Sequence, residues 1–450
     1  MRWLLGIVLV AAGACGGSSG GADGGGGGDG TGGSDGRIAT GDGGDSDGGG
    51  DAARPDAPTG AFIHPGLHVS RGQLDAVKAK ITAGAQPWTA LLARAQASSY
   101  GNVDWVPHPV EIMRCGNGGD TTNIGCTDSR RDALAAWTLA LIWFHTGDRA
   151  YATAAIRILD AYATTLDEVV FTSGDLSTYN GPLQAAWLAE LFPRAAELIR
   201  YTDAGWPEAD ASAFGDMLTR AILPRIRDDW YGGGHNWNTS MANGTINIGV
   251  YTDSREIYDV GVAIWRENVP FAFYLASDGA TPIPAPDFAK PDGTWKDGRL
   301  ETEWFGQDEF GARENGMVKE VCRDLTHTQF TLASVTYGAE TAWIQGLDLY
   351  AEQAERIVAA NEFVADLIDR YAPSPGNDAA DVTTDAWLCD GALTAQVMPT
   401  FETVTNHFVH RRGGAMPRAL AARAKGRAGG PYTDLMMSWE TLTHGDVDAP

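Results

Sequence analysis

Long apolar stretches at helical spacing, separated by short polar turns, dominate the chain from residue 59 onward. Residues 132–146 are almost wholly apolar, which predicts a helix buried on most of its faces. Gly147-Asp148 ends that helix, and a partner helix is predicted at 150–166. Further helices are predicted to begin near Ser70 and Trp88 and to span 183–201, 211–228, 239–251, 255–275, 326–345, 350–371 and 395–410.

Strand signals are weak by comparison. Period-two alternation is scarce, and no convincing series of hairpins precedes residue 370. Residues 59–450 are therefore predicted to form one mainly α-helical domain built from antiparallel helix pairs, which can bend into a ring around a cleft. A small β region fits 371–395 or 411–450.

The first 58 residues differ from the rest in composition. Arg2 precedes an apolar run from Trp3 to Ala14, which is too short to cross a bilayer but has the length of a signal-peptide core. The run leads into Cys15 through Ala-Gly-Ala, which resembles a bacterial lipobox with alanine in place of the usual leucine. Residues 1–15 are thus predicted to be a lipoprotein-type signal with Cys15 lipidated; an ordinary secretory signal is the alternative.

Residues 16–58 are predicted to be a Gly/Asp-rich disordered tether. Of the 57 glycines in the chain, 19 lie within residues 16–50, together with six aspartates. So little apolar surface cannot repay the entropy of ordering the backbone. The sequence therefore predicts an exported protein, held at the membrane in the periplasm or at the cell surface only through an N-terminal lipid, or else secreted.

Charge argues against one class of partner. The net charge is -25, of which residues 1–58 contribute three basic and eight acidic residues, so the remainder still carries -20. Neutralising phosphates requires a basic face, and no nucleic-acid partner is expected.

Four cysteines follow the tether. Cys115 and Cys126 flank a Gly/Asn/Thr-rich loop that a disulfide could close, which would leave Cys322 and Cys389 to pair with each other. An oxidising compartment permits both bonds, although sequence alone does not fix the connectivity. Zinc is the rival interpretation, and neither the spacing nor nearby histidines favour it.

Polar residues interrupt the apolar pattern in three places, of which the first is residues 231–240 (YGGGHNWNTS). Three glycines allow the backbone to approach a ligand closely, and a helix N-terminus after them suits an anion. Asn236 and Trp237, beside His235, are candidate contacts for a ligand carboxylate and a sugar face. The alternative is a glycine turn with a helix cap and Trp237 packed in the core.

In the second place, Glu320, Arg323 and His327 are spaced i, i+3 and i+7, which puts them on one face of a helix. A buried arginine with a carboxylate neighbour keeps its charge and can neutralise a substrate acid, and a histidine can move protons near neutral pH. Gln329 follows in the same segment. The alternative is a structural Glu–Arg pair beside a satisfied core histidine.

The third place holds Glu402 and Asn406 at i, i+4, with His407 next to them. His407 and His410 at i, i+3 suggest a metal only weakly, because no third ligand is apparent. No metal site or cofactor is predicted. A structural calcium ion is compatible with the many aspartates, but no loop specifies one.

Short motifs spread over residues 62–445 resemble the alginate lyase-like superfamily of polysaccharide lyases. The segment HPGL (64–67) is similar to that family's opening segment, and the stretch from AW (136–137) through GD (147–148) to ILD (158–160) is similar to its first helix pair. NWNTSM (236–241) is similar to its Asn-Trp motif, RDLTHTQ (323–329) to its RDxxHTQ motif, and WETLTHG (439–445) to its closing segment. The resemblance implies an incomplete (α/α) toroid that cleaves an acidic polysaccharide of the alginate or glucuronan type.

The chain departs from that family at two points. Characterised alginate lyases of this type use an Asn-His pair, an arginine and a tyrosine close after the arginine. Here the order is His235-Asn236, and no tyrosine follows Arg323 until Tyr337. The catalytic roles therefore carry over most directly to Asn236 and Arg323.

β-Elimination in a uronate polymer removes the proton alpha to the carboxylate and expels the sugar linked at O4. Asn236 and Arg323 are predicted to meet in the cleft and neutralise the carboxylate, since charge develops there in the transition state. His327 is the predicted base, with His407 or Tyr179 as the acid. Tyr179 and Asn180 lie in a polar turn before the helix at 183–201. The substrate-binding candidates are His235, Trp237, Asn180, Glu320, Gln329, Glu402 and Asn406.

Two other functions remain open from sequence. One is a glycoside hydrolase on the same helical ring, with paired carboxylates such as Asp324 and Glu402. The other is a surface lipoprotein that binds glycans without turning them over, which the missing tyrosine favours.

Overall fold

The structure is a computed structural model, and it describes residues 60–117, 120–172, 179–228, 233–310, 315–372, 379–429 and 435–447. The predicted signal peptide, Cys15 and the tether lie outside these residues.

Helices make up most of the described chain. They are α1 (Arg71–Thr82), α2 (Trp88–Ala97), α3 (Cys126–Thr146), α4 (Arg149–Thr165), α5 (Gly181–Arg200), α6 (Glu208–Met217), α7 (Leu223–Arg227), α8 (Asn236–Tyr251), α9 (Arg255–Ala272), α10 (Arg299–Glu303), α11 (Leu325–Ile344), α12 (Leu349–Glu352), α13 (Ala354–Tyr371), α14 (Glu402–Thr405), α15 (Pro417–Gly429) and α16 (Thr441–His444).

The predicted helix pair around Gly147 is confirmed. From Ala133 to His145 every residue of α3 is buried, as an all-round apolar helix requires. Gly147 ends α3 in the left-handed region at φ 73°, and the Asp148 side chain then accepts the Ala150 N–H as the cap of α4. Two residues thus reverse the chain and make α3 and α4 antiparallel neighbours.

Helix α8 lies at the centre of the packing and contacts α5, α9 and α11. Close approach depends on glycine: a Cβ on Gly249 would lie 2.4 Å from the backbone nitrogen of Tyr258 on α9. Helices in pairs around this buried centre form the predicted helical toroid, and the fold class is confirmed.

Two predicted helices differ in the structure. The helix expected at 211–228 is broken by a π-helical turn at Leu218–Ile222, after which Pro224 lies in the first turn of α7. The helix expected at 395–410 begins only at Glu402, because a strand runs to Ala395 and Pro399 follows it. It continues as a π-helical segment over Asn406–Arg411. Helix α15 was not predicted.

The β structure is small. Strands β4 (Ala380–Thr383) and β5 (Ala392–Ala395) pair antiparallel, which confirms the β region expected within 371–395. A second sheet, which the sequence did not predict, has the order β2-β1-β3, from β1 (Ile112–Cys115), β2 (Asn123–Ile124) and β3 (Glu168–Val169). Strands of two to four residues are too short to show an alternating pattern.

Both predicted disulfides are present, Cys115–Cys126 and Cys322–Cys389. The first joins the end of β1 to the first residue of α3. The second ties the segment before α11 to the turn before β5. Among the described residues, no helix has the length and apolar character needed to cross a bilayer.

Glu190 on α5 gives the fold a pH dependence. Its side chain is fully buried, and its Oε1 accepts a 2.8 Å hydrogen bond from Asn243 Nδ2 on α8. Burial raises the pKa of Glu190 from 4.5 to about 7, against the opposing hydrogen bond from Asn243. Between those two values the folded state holds a proton that the unfolded state has lost, so the free energy of unfolding falls as pH rises.

Substituting Glu190→Gln should remove this dependence. Between pH 4.5 and pH 8, the free energy of unfolding of the parent protein should fall by about 3 kcal/mol more than that of Glu190→Gln. The figure follows from about 1.4 kcal/mol for each pH unit by which the pKa of Glu190 is raised. Denaturant unfolding of both proteins at those two pH values measures the difference. Parallel pH profiles would contradict the assignment.

Candidate active site

A cavity of about 300 Å³ opens among segments that are distant in sequence, and its lining is Asn117, Tyr179, His235, Trp237, Phe305, Glu320 and Arg323. The volume is at the lower end for a small-molecule site. Five of these residues are sequence-predicted candidates; Asn117 and Phe305 are not.

Glycines place His235 at the cavity. Gly233 and Gly234 have φ values of 147° and 72°, which other residues rarely adopt. A Cβ on Gly234 would lie 2.7 Å from the backbone of Phe271, and the Gly234 N–H donates to Asn268 Oδ1 at 3.0 Å. The backbone at Gly234 therefore packs directly against the end of α9, and α8 begins directly after His235.

The carboxylate of Glu320 joins the beginning of α8 to the segment before α11. Its Oε2 accepts the backbone N–H of Asn236 at 2.7 Å, and both oxygens lie 2.9 Å from Asn236 Nδ2. Thr331 Oγ1 on α11 donates to it at 3.3 Å. Burial disfavours the charged form of Glu320, but His235, His327 and Arg323 outweigh this and lower its pKa. An ionised carboxylate therefore lies at the inner wall of the cavity.

This arrangement changes the expected role of Asn236. Its side chain is fully buried and its amide NH₂ is bonded to Glu320, so that amide is not free to donate to a ligand in the cavity. Asn236 instead fixes Glu320, a contact between positions 84 residues apart.

Arg323 keeps the exposure that a ligand contact needs. Its Nη1 lies 3.0 Å from Glu320 Oε1, while 38% of its side chain is exposed. Among the described residues its guanidinium hydrogen-bonds to Glu320 alone, and its remaining N–H groups can reach a bound anion. Asn236 and Arg323 thus do meet, through the carboxylate between them.

A second carboxylate fixes His235. Glu303 at the end of α10 lies 3.2 Å from His235 Nε2 and 2.9 Å from the buried Lys319 Nζ. Burial opposes its ionisation, but the hydrogen bond from His235 and the charge of Lys319 prevail and lower the pKa of Glu303 to about 2. Lys319 also donates to the carbonyl of Gly233, so one ion pair ties together α10, the glycine turn and the segment before α11.

His327 lies in the first turn of α11 and is not part of the cavity lining. Asp324, the cap of α11, accepts the backbone N–H of His327 at 2.7 Å, and its two oxygens lie 2.8 and 2.7 Å from His327 Nδ1. The side chain is 16% exposed. It is close enough to Glu320 to help lower the pKa of that carboxylate, which places it beside the lining.

Aromatic side chains form another part of the lining. The ring of Tyr179 stacks on Phe171 at 5.6 Å and meets Trp237 edge-on at 6.0 Å. Phe305 follows α10 with a φ of 53°, a conformation that costs energy for a non-glycine residue, and its side chain is 37% exposed. Aromatic rings placed around polar groups in this way suit the faces of a sugar. Asn180 instead donates to the carbonyl of Gly116 at 3.1 Å and supports the loop that carries Asn117.

Four candidates make structural contacts elsewhere. Gln329 hydrogen-bonds the backbone of Leu325, Gln396 and Met398, and Asn406 hydrogen-bonds the carbonyls of His444 and Val447.

Glu402 pairs with Arg427 and adjoins a separate cavity of about 30 Å³, which has room for about one water molecule. His407 stacks on Tyr350 at 3.8 Å.

His407 is also a poor acid in this position. Burial lowers its pKa to about 4, so it is neutral at pH 7. Most of the contacts that occupy these four side chains are made across the fold, and helical spacing gave no signal for those. Glu303, Lys319 and Phe305 were not predicted either, because they belong to no sequence motif. Asn117 lies in the loop that the predicted first disulfide closes.

Metal ligands are not grouped in the part of the chain that the structure describes, where no three His, Cys, Asp or Glu side chains are positioned around a common point.

Comparisons with known proteins agree with the observed fold. Residues 75–283, which include His235 and Trp237 but not Arg323, match a family model described as alginate lyase. No curated protein matches the chain. Alginate lyase A1-III from Sphingomonas species A1 is similar in structure, with a TM-score of 0.54 and 17% identity over 85% of this chain and 97% of that one.

Two further solved structures share the fold. An alginate lyase from Bacteroides ovatus has a TM-score of 0.53 and 13% identity over 85% of this chain and 99% of its own. A variant of alginate lyase A1-III in complex with a tetrasaccharide has a TM-score of 0.51 and 18% identity, covering 86% and 97% of the two chains.

Proposed function

We propose that the chain is an alginate lyase-like polysaccharide lyase that cleaves a uronic-acid-containing polysaccharide of the alginate or glucuronan type by β-elimination; the family-model match over residues 75–283 and the shared fold support this proposal. One observation carries this proposal: a partly exposed guanidinium, Arg323, is held against an ionised carboxylate in a cavity with aromatic walls.

The reaction requires neutralisation of the substrate acid first. The proton alpha to a carboxylate is barely acidic while that carboxylate keeps its charge, and the free N–H groups of Arg323 can stabilise the dianionic intermediate. Glu320 holds the guanidinium in place without using all of its donors. His235, fixed by Glu303 through Nε2, lines the same wall.

Proton transfer then needs a base and an acid. His327 takes the alpha proton, the C–H electron pair becomes the new C4=C5 double bond, and the O4-linked sugar leaves with a proton from the acid. Tyr179 is the acid in this proposal because it lines the cavity, whereas His407 is buried elsewhere. The Asn236 amide supports the site through Glu320.

The hydrolase alternative has less support. It needs two carboxylates facing one sugar bond, but Asp324 is bonded to His327 and Glu402 is paired with Arg427 beside a different cavity. A protein that only binds glycans remains an outcome of the assay.

Incubation with alginate, glucuronan and glycosaminoglycans tests the proposal. Elimination makes a conjugated unsaturated uronate, so ultraviolet absorbance should grow with the number of reducing ends. New reducing ends without absorbance would indicate hydrolysis, and binding without either would indicate a non-catalytic receptor.

Export is the second part of the proposal. The lipobox-like sequence before Cys15 and the two disulfides support a lipid-anchored protein in an oxidising compartment. Substituting Cys15→Ser should move the protein from the membrane fraction to the soluble fraction, measured by fractionation of expressing cells. An unchanged distribution would contradict the lipid anchor.

A further inference from the structure

The contact between Asp324 and His327 has a geometry that only one tautomer of the neutral imidazole satisfies. Both carboxylate oxygens lie within 2.8 Å of His327 Nδ1, and Oδ1 also accepts the His327 backbone N–H. The pKa of Asp324 is lowered: burial opposes ionisation, but the hydrogen bonds and charge of His327 outweigh it. An ionised carboxylate only accepts, so the proton of the neutral imidazole resides on Nδ1.

A proton on Nδ1 leaves the lone pair on Nε2. No hydrogen-bond partner for Nε2 exists among the described residues, and the side chain is 16% exposed, so Nε2 can reach solvent or a ligand. The charged groups around the ring are Asp324, Glu320 and Arg323, and the Phe330 ring meets it edge-on at 6.0 Å.

We propose that Asp324 is a positioning residue: it holds His327 in the tautomer and orientation in which Nε2 is the base for the alpha proton of the uronate. This inference rests on the proposed function. Asp324 does not touch the substrate; it acts only through His327, as the acid in a carboxylate–imidazole pair orients the ring.

The substitution Asp324→Asn tests the inference because it separates capping from tautomer control. Asparagine caps a helix about as well as aspartate, so α11 and the melting temperature should be preserved. Its amide NH₂ would donate to His327 Nδ1, which moves the ring proton to Nε2 and removes the base. We expect kcat to fall by about 100-fold or more while KM changes little. The matched variant Asp324→Ser, which caps the helix without an amide, should lose only about tenfold in kcat.

A double substitution distinguishes positioning from a general structural role. In a His327→Ala background, adding Asp324→Asn should cost nothing further in kcat/KM, because its effect passes through His327. Equal losses in both backgrounds, or an Asp324→Asn enzyme with unchanged rate and pH profile, would overturn the inference.

A readout without turnover keeps this test independent of the proposed function. NMR of isotope-labelled histidine reports which ring nitrogen carries the proton. The inference requires Nδ1–H at His327 in the parent protein and Nε2–H in Asp324→Asn; Nε2–H in the parent would overturn it even if the enzyme proves to be a lyase. If the parent shows Nδ1–H but makes no unsaturated product, the proposed function fails and the tautomer assignment stands.

Discussion

Replacing Arg323 with alanine should lower kcat/KM on a uronate polymer by about 10³-fold. Loss of one donor to a developing negative charge costs about that much in water-excluded sites, and Arg323 is the only arginine or lysine in the described cavity lining. The effect should fall on kcat as well as KM, because the charge on the carboxylate grows in the transition state. Initial rates measured by ultraviolet absorbance over a range of polymer concentrations provide both constants.

Two controls accompany this variant. Arg323→Lys keeps the charge but loses the planar fork of donors, so its activity should lie between that of the parent and that of Arg323→Ala. The fold should persist in both, because 38% of the side chain is exposed and Glu320 keeps its bonds to Asn236. An Arg323→Ala enzyme within threefold of the parent would exclude this guanidinium as the neutralising group.

Replacing His327 with alanine should nearly abolish turnover, by about 10³-fold, while the protein stays folded. A positioned base contributes about 10²- to 10⁴-fold, and the ring is only partly buried, with Asp324 as its one ring hydrogen-bond partner among the described residues. The backbone N–H of residue 327 remains to bond Asp324, so the cap of α11 survives. Steady-state rates and circular dichroism of the same preparation measure both quantities.

Added imidazole offers a sharper form of this experiment. If the cavity left by the ring admits free imidazole, the rate of His327→Ala should rise with its concentration. His108→Ala is the matched control, since His108 lies outside the cavity lining. Full activity in His327→Ala would assign the base to another group, with His235 the first to examine.

The sequence predicted the helical part of the fold well because each helix carries its own signals. The apolar run of α3, the left-handed Gly147 and the Asp148 cap are local features that determine a helix pair without reference to the rest of the chain. The small sheet around Cys115 was missed because its strands contain only two to four residues and depend on pairing across the fold.

The candidate site was predicted in part, for a similar reason. Polar motifs beside glycines and at a helix end identified His235, Glu320 and Arg323, which the fold brings to one cavity. Sequence spacing could not reveal that the Asn236 amide is taken up by Glu320, because that partner lies 84 positions away. Equally, nothing local showed that Glu402 would pair with Arg427 outside the cavity.

The central claim concerns one negative charge on the substrate, and it can be tested on the substrate itself. Glucuronan or alginate and a matched polymer whose carboxylates have been reduced to primary alcohols are incubated with the parent enzyme, and absorbance and reducing ends are followed together. The account predicts that both signals grow in step on the acidic polymer and that neither appears on the reduced one. Cleavage of the reduced polymer, or new chain ends on the acidic polymer without the conjugated double bond, would contradict it.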